Sequence, residues 1–162
     1  MFEFRAPTID DVDWITRACQ DPDILRFTEV PRPYTAEHAR AFVADLAGEL
    51  KVWTIRDVDT NEGLGVVGVH HVRERVASIG YWVAPWGRRR GAAVDAVLHA
   101  CKELATWDDV DVVAATIAST NLASQSVARR AGFGQSCRPL DTQCPDGDAR
   151  VDAIIFERRL RP

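Results

Sequence analysis

A junction at residues 81–96 limits the fold more than any other part of the sequence, because it joins a strand pattern to a helix pattern through a turn rich in arginine and glycine. The strand pattern covers Val76–Val83, and the helix pattern runs from Ala92 to about Ala105. Other patterns predict strands at residues 2–5, 51–58, 64–72, 110–117, 133–140 and 151–160, and a turn at residues 145–148. They also predict helices through residues 14–18, 39–46 and 121–131, the first of which ends near Asp21 and Pro22. A meander of strands followed by alternating strands and helices predicts an α/β fold, with a mixed sheet and helices on both faces.

The turn that opens the helix has the properties of an anion site. A helix N-terminus leaves about four backbone N–H groups without internal partners, and these donors and the helix dipole together attract phosphate. Gly91 allows a ligand to approach the backbone, and Ala92 and Ala93 keep the next side chains small. Arg88 and Arg90 can add charge-assisted hydrogen bonds to a diphosphate.

The composition is typical of a soluble globular protein. The 162 residues suit a single domain, residues 1–162, and 46% of them are apolar while 27% are charged. The formal net charge of −4 argues against a generally basic nucleic-acid binder. No apolar run is long enough to cross a bilayer, and the first residues lack the apolar core of a secretion signal. We therefore expect a cytoplasmic protein with no nucleic-acid or membrane partner.

The charge is unevenly distributed along the chain. Residues 1–50 hold ten acidic residues and five arginines, whereas residues 51–100 carry a net charge of +2. The positive focus is the run Arg88, Arg89 and Arg90. Such a run is either a solvated surface or, in its position before a helix, an anion site.

Neither the cysteines nor the histidines form a recognisable metal-binding pattern. The cysteines contain no CxxC pair, and the histidines do not fall at ligand spacing with them. We therefore expect reduced thiols and no metal. The residues concerned are Cys19, Cys101, Cys137, Cys144, His38, His70, His71 and His99.

Two motifs resemble those of the GCN5-related N-acetyltransferase (GNAT) family. The signature of that family, Gln or Arg, two residues, Gly, one residue, then Gly or Ala, matches residues 88–93, and its Asn-x-x-Ser…Gly-Phe stretch matches residues 121–133. With the opening residues 4–35 and the segment 79–82, the chain is similar to the Rim-type branch, named for ribosomal-protein N-terminal acetyltransferases. The resemblance implies the GNAT fold, a mixed, mostly antiparallel sheet of about seven strands flanked by about four helices.

The resemblance also implies acetyl-coenzyme A as the cofactor and an amine that attacks its thioester. The backbone amide of Val83 would stabilise the oxyanion. Many relatives place a Tyr seven residues after the Asn, where this chain has Ala128. Ser124 is the substitute acid, unless it only bonds to the first turn of its helix. The residues assigned to cofactor binding are Val83, Arg88, Arg89, Arg90, Gly91, Ala92, Ala93, Asn121 and Ser124.

The general base stays open at this point. A primary amine with a pKa near ~10 is mostly protonated at neutral pH, so a base or a desolvating pocket must help. Relatives often carry Glu where this chain has Ser78. His70 and Glu29 are the candidates, and at most one of the adjacent strand residues His70 and His71 faces the cleft. Catalysis by positioning and a water chain, without a side-chain base, is the third possibility.

The acceptor is expected to be a small-molecule or peptide amine. Phe27, Tyr34 and Tyr81 are the candidate substrate contacts. The acidic first third of the chain suggests a negative entrance that prefers a cationic amine. We expect the protein to be a monomer or a homodimer.

Three functions are compatible with these residues. The first is an acetyl-coenzyme A-dependent N-acetyltransferase, and the second is a non-catalytic sensor or scaffold that binds an acyl-coenzyme A. The missing Tyr and Glu support the second. The third is a nucleotide-binding protein that uses residues 88–93 for another diphosphate, although the absence of Lys-Ser or Lys-Thr after the glycine turn argues against a P-loop NTPase.

Overall fold

One mixed sheet organises the chain in the computed structural model, which describes residues 1–137 and 141–161. The strands are β1 (Phe2–Arg5), β2 (Lys51–Asp57), β3 (Gly63–Arg73), β4 (Val76–Val83), β5 (Val112–Ala118), β6 (Gly134–Gln135), β7 (Gln143–Asp146) and β8 (Ala149–Arg159). The helices are α1 (Val12–Ala18), α2 (Pro22–Phe27), α3 (Ala36–Asp45), α4 (Ala92–Leu104) and α5 (Leu122–Arg130). The strand order is β1-β2-β3-β4-β5-β8-β6, with β7 paired to β8. Among the described strands only β4 and β5 pair in parallel, so the predicted mixed, mostly antiparallel α/β fold is confirmed.

Helices cover both faces of the sheet, and the sheet divides the core into two clusters. One face packs against α4 and α5 and includes the buried residues Val67 and Ile79. The other face packs against α1 and α3, and the cluster formed there includes Ile15 of α1 with Val52 and Val66 of the sheet. Val66 and Val67 belong to different clusters because successive strand residues point to opposite faces. In the part of the chain that the structure describes, no helix has the length and apolar character required to cross a bilayer.

The parallel strands β4 and β5 separate part-way along their length. Their pairing ends at Ile79 and Ala115, although β4 continues to Val83 and β5 to Ala118. The two strand ends therefore diverge and leave a gap in the sheet. Helices α4 and α5 begin shortly after these strand ends, so both helix N-termini lie beside the gap.

Helix α2 departs from the prediction. The pair Asp21 and Pro22 was expected to end the first helix, and in the structure it begins the next one. The Asp21 carboxylate accepts a hydrogen bond of 3.1 Å from the amide of Ile24, and Pro22 occupies the first turn. An aspartate cap followed by proline is a favourable helix start, so the same two residues fit both interpretations.

The C-terminal strands also differ from the prediction. Of the strand predicted at residues 133–140, Gly134–Gln135 forms β6, and residues 138–140 lie outside the described residues. Pro145 and Asp146 were expected in a turn but belong to β7. Proline is tolerated there because, among the described strands, β7 pairs only with β8. The turn instead centres on Gly147, whose φ is +64°.

A buried carboxylate joins the N-terminal segments to the sheet. Asp11 has no exposed surface, and it accepts hydrogen bonds from Arg5 at 2.8 Å, Arg56 at 2.7 Å and the Trp14 indole at 2.8 Å. It also accepts a bond of 2.8 Å from the amide of Thr8. Asp11 thereby connects β1, the start of α1 and β2.

Candidate functional site

A cleft of about 1330 Å³ opens at the gap between β4 and β5. One side is formed by the ends of these strands and the first turns of α4 and α5, and the other side by α2, α3 and the loop between them. The cleft brings together every predicted site residue except Arg90: Phe27, Glu29, Tyr34, His70, Tyr81, Val83, Arg88, Arg89, Gly91, Ala92, Ala93, Asn121 and Ser124.

The turn before α4 presents unpaired backbone donors to this cleft. Arg89 and Gly91 adopt left-handed conformations, with φ of +63° and +83°, and such turns make successive amides converge on an anion. The amides of Gly91, Ala92 and Ala93 donate to no other group in the described residues. A Cβ added at Gly91 would meet no atom within 4 Å, so the space in front of the turn is open.

The three arginines of the turn have different partners. Arg88 is paired with Asp21 and lies 3.3 Å from Asp23, and Arg90 is paired with Asp57. The amide of Asp59 and the Arg90 guanidinium hold the pKa of Asp57 below its usual value.

Arg88 and Arg90 therefore fix the turn to α2 and to the end of β2. The side chain of Arg89, the middle arginine of the three, is exposed and has no ion-pair partner among the described residues. The predicted contacts of Arg88 and Arg90 with a diphosphate would have to compete with these carboxylates, and Arg90 does not line the cleft.

The end of β4 directs one backbone donor into the gap. The amide of Ala84 donates to the Leu64 carbonyl at 2.8 Å, on the β3 side of the strand. Successive amides of a strand alternate in direction, so the amide of Val83 points to the β5 side of β4. Val83 lies beyond Ile79, the last residue of β4 that pairs with β5. This donor is available to a carbonyl oxygen lying in the cleft.

Helix α5 places a free hydroxyl on the opposite wall. The side chain of Asn121 caps the helix by accepting a bond of 3.1 Å from the Ser124 amide. Ser124 Oγ forms no hydrogen bond with any other described residue, so no bond to the first helical turn engages it. Tyr81 also lines the cleft, but its hydroxyl donates to the main-chain oxygen of Ser124.

The sequence of residues 2–134 matches the family model described as the acetyltransferase (GNAT) domain. The chain belongs to the GNAT acetyltransferase family. The resemblance predicted from the motifs is therefore confirmed. No curated protein sequence matches the chain.

Solved GNAT structures share its fold over nearly its whole length. RimL, the ribosomal L7/L12 α-N-protein acetyltransferase in complex with coenzyme A, superimposes with a TM-score of 0.81 at 21% identity, over 98% of this chain and 93% of RimL. The microcin C7 self-immunity acetyltransferase MccE, with acetyl-coenzyme A and AMP, gives 0.83 at 14% identity over 98% and 92%. Spermidine N-acetyltransferase from Vibrio cholerae, with coenzyme A and spermine, gives 0.78 at 15% identity over 98% and 95%.

Acetyltransferases of this family bind acetyl-coenzyme A, which is the cofactor expected from the sequence. The residues present fit that group. The unpaired amides of Gly91, Ala92 and Ala93 suit its diphosphate, and the open space at Gly91 allows phosphate oxygens to approach them. In the described part of the chain, no group of three or more His, Cys, Asp or Glu residues is arranged to hold a metal ion.

Two of the predicted substrate contacts occupy unexpected positions in this GNAT domain. Phe27 is the last residue of α2 rather than part of a loop, and it lies half-buried under the guanidinium of Arg26. Tyr34 is only 6% exposed and packs with α1. Burial and the neighbouring Cys19 raise the pKa of Tyr34, so its hydroxyl stays protonated inside the core. Phe27 is the better placed of the two for a substrate.

The two candidate bases have different environments. Glu29 is 72% exposed and forms an ion pair of 2.5 Å with the exposed Arg150. His70 Nδ1 lies 2.6 Å from Glu49 Oε1, and both residues line the cleft. His71, its neighbour in the sequence, does not line the cleft.

Glu49 is a cleft residue that the sequence analysis missed. It follows the end of α3, where Leu46, Ala47 and Gly48 all have positive φ and turn the chain back over the sheet. A signal for it exists in β3 and β4: an isolated glycine inside a strand often marks the close approach of another group. Gly68 and Gly80 face each other in the register of these strands, and Glu49 and His70 lie over them.

Proposed function

We propose that this chain transfers the acetyl group of acetyl-coenzyme A to a primary amine, either a protein N-terminus or a small-molecule amine. One observation carries the proposal: the unpaired amides at the start of α4 and the Val83 amide open into the same cleft. The first set can hold a diphosphate and the second can hold a carbonyl oxygen. The cleft also offers a second side, lined by α2 and α3, for an acceptor.

Each of these groups has a separate task in the proposed reaction. Acetyl-coenzyme A supplies the acetyl group as a thioester. The amides of Gly91, Ala92 and Ala93 hold the diphosphate, and the exposed Arg89 adds a positive charge beside it. The Val83 amide donates to the carbonyl oxygen, which gains negative charge as the amine attacks. The Ser124 hydroxyl gives a proton to the departing sulfur.

The charges of the cleft support a cationic acceptor. Arg88, Arg89 and Arg130 lie on the side of α4 and α5, whereas Asp45 and Glu49 lie on the side of α3. Arg26 of the neighbouring α2 is paired with Asp146, so a positively charged amine is attracted to the α3 side of the cleft.

All four cysteines are free, which is compatible with a reducing compartment, and we propose that the protein is cytoplasmic. Cys19 and Cys101 are buried and free, and burial raises their pKa values to about 12 and about 11, respectively. Thiols of this kind are protonated and unreactive. A monomer or a homodimer remains the predicted assembly.

The proposed activity is tested by measuring the release of free coenzyme A thiol from acetyl-coenzyme A. The acceptors are a peptide with a free N-terminus, an amino acid amide and spermidine, each compared with a reaction without acceptor. We expect acceptor-dependent release with at least one of these amines. Saturable binding of acetyl-coenzyme A without release above the background would instead favour the non-catalytic sensor or scaffold.

A further inference from the structure

We propose that His70 is the general base of this site and that Glu49 is the residue that positions it. This inference rests on the proposed acetyl transfer and assigns the proton acceptor that the transfer requires. The two side chains form a pair on the cleft wall, with Glu49 Oε1 2.6 Å from His70 Nδ1.

Two glycines form the sheet surface under this pair. Gly68 in β3 and Gly80 in β4 are directly opposite in the strand register. A Cβ added at Gly68 would lie 3.1 Å from Glu49 Oε2, and one added at Gly80 would lie 2.5 Å from His70 Nε2. The two glycines therefore make room for the carboxylate and for the imidazole.

The backbone of β3 frees His70 from cross-strand pairing. The register between β3 and β4 shifts after Val69, so that Val69 is opposite Ile79 and His71 is opposite Ser78. His70 is the extra residue of this bulge. Bulges commonly re-aim a side chain next to an active site, and here the ring turns over Gly80.

The contact with Glu49 decides which ring nitrogen of His70 carries the lone pair and can act as a base. A carboxylate only accepts hydrogen bonds, so Nδ1 of His70 must be the donor. Glu49 Oε2 is buried without a partner among the described residues, which leaves His70 as the donor that satisfies this carboxylate. The lone pair of the neutral ring is then on Nε2, which lies above Gly80.

The distance to the proposed carbonyl site suits one intervening water. Gly80 precedes Val83 by three residues, roughly 10 Å along a strand. A path from His70 Nε2 through one water, the acceptor nitrogen and the carbonyl group to the Val83 amide covers about that length, since each hydrogen bond on it adds about 2.8 Å.

The proposed step conserves protons and electron pairs. The amine lone pair forms the N–C bond to the acetyl carbon, and the nitrogen loses one proton through the water to His70 Nε2. The C–S bond breaks with its electron pair on sulfur, and the sulfur takes a proton from Ser124. Solvent water returns a proton to Ser124 and removes the proton held by His70, so both side chains regain their starting states. The products are an amide and a free thiol.

Four variants test the assignment, each with the rate of thiol release and the affinity for acetyl-coenzyme A measured. We expect His70→Ala to lower kcat by roughly 100-fold or more and Glu49→Gln to lower it by about 10- to 100-fold, with the affinity for acetyl-coenzyme A unchanged in both. His71→Gln is the matched control and should keep the wild-type kcat. Gly80→Ala should lower kcat in the wild-type background, because its methyl group displaces the His70 ring, but should have no further effect in His70→Ala.

The ring tautomer gives a readout that does not depend on turnover. Nitrogen NMR of the protein without cofactor should show neutral His70 protonated on Nδ1 in the wild type and a mixture of both tautomers in Glu49→Gln. A wild-type kcat in His70→Ala, or the same tautomer in both proteins, would overturn the assignment and leave the proposed transfer intact. A wild-type protein that releases no thiol with any of the amines would overturn both.

Discussion

Tyr81 of β4 reaches across to α5, where its hydroxyl donates a hydrogen bond of 2.8 Å to the main-chain oxygen of Ser124. Burial raises the pKa of Tyr81 to about 12, so the hydroxyl stays protonated at neutral pH and keeps this bond. The contact ties the strand that provides the Val83 amide to the helix that provides the Ser124 hydroxyl. It therefore fixes the width of the cleft where the two proposed catalytic groups face each other.

Removing this contact should loosen the cleft without emptying the core. Tyr81→Phe keeps the ring and leaves the Ser124 carbonyl without its donor, so we expect a loss of about 1 kcal/mol in the free energy of unfolding. We also expect kcat to fall while the affinity for acetyl-coenzyme A changes little. Urea unfolding and thiol-release assays measure the two effects, and a variant identical to the wild type in both would show that the contact is dispensable.

The strand pattern and the turn chemistry made much of this architecture predictable. Val76–Val83 was predicted with the bounds that the structure has, because a charged turn at residues 73–75 precedes the segment and Pro85 follows it closely. The turn at Gly91 was predictable because a strand pattern precedes it and a helix pattern follows it, and glycine is a preferred N-cap residue. Helix α2 was not predictable in the same way, since Asp21 and Pro22 signal a helix end and a helix start equally well.

The functional pairs were harder to predict because they join distant parts of the chain. Gly68 and Gly80 indicate that some group approaches these strands, but nothing in the sequence identifies that group as Glu49 or pairs it with His70. The same holds for Arg88 and Arg90, which were expected to be free for a diphosphate and are paired with Asp21 and Asp57. Ion pairs between separate elements depend on the packing of those elements, which sequence periodicity does not encode.

The proposed acid is tested by two serines on the same helix. Ser124→Ala should lower kcat by about 10- to 100-fold with little change in the affinity for acetyl-coenzyme A, because only the proton donated to the sulfur is lost. Ser126 is exposed on α5 and does not line the cleft, so Ser126→Ala should behave like the wild type. Equal kcat values for the two variants would remove Ser124 from the mechanism.

The preference for a cationic acceptor is tested by ionic strength. Surface charges are screened over about 8 Å at 0.15 M salt, so the advantage of a doubly charged amine over a singly charged one should shrink as salt is added. Asp45→Asn should reduce the same advantage, whereas Glu37→Gln, which removes a charge from α3 outside the cleft, should not. The measurement is kcat/KM for the two amines from 0.05 to about 0.5 M salt. A ratio independent of salt in all three proteins contradicts the proposal.

The buried carboxylate should control stability in acid. Burial alone would raise the pKa of Asp11, but hydrogen bonds from Arg5, Trp14 and the Thr8 amide outweigh it, and the pKa lies below the usual value. A lowered pKa in the folded state contributes stability that is present above the unfolded value, about 3.9, and is lost as the pH falls through the folded value.

Asp11→Asn should therefore cost about 3–5 kcal/mol at pH 7, since it leaves two arginines without their charged partner. Its stability should also fall less steeply below about pH 4 than that of the wild type. Asp13 is exposed in the first turn of α1, and Asp13→Asn should match the wild type in both respects. Denaturant unfolding from pH 7 to about pH 2.5 measures the difference. An acid dependence that is the same in all three proteins would contradict the assignment.

Calorimetric titration with acetyl-coenzyme A tests most directly whether the amides at the start of α4 hold the diphosphate. The wild type should bind one molecule saturably. Gly91→Glu should lose the binding, because its side chain projects into the open space with a charge like that of phosphate. Gly91→Ala carries the same strain of a positive φ, roughly 1–2 kcal/mol, without the carboxylate, and should retain most of the affinity. Undiminished binding by a folded Gly91→Glu variant, or no heat of binding with the wild type, would contradict the placement of the cofactor.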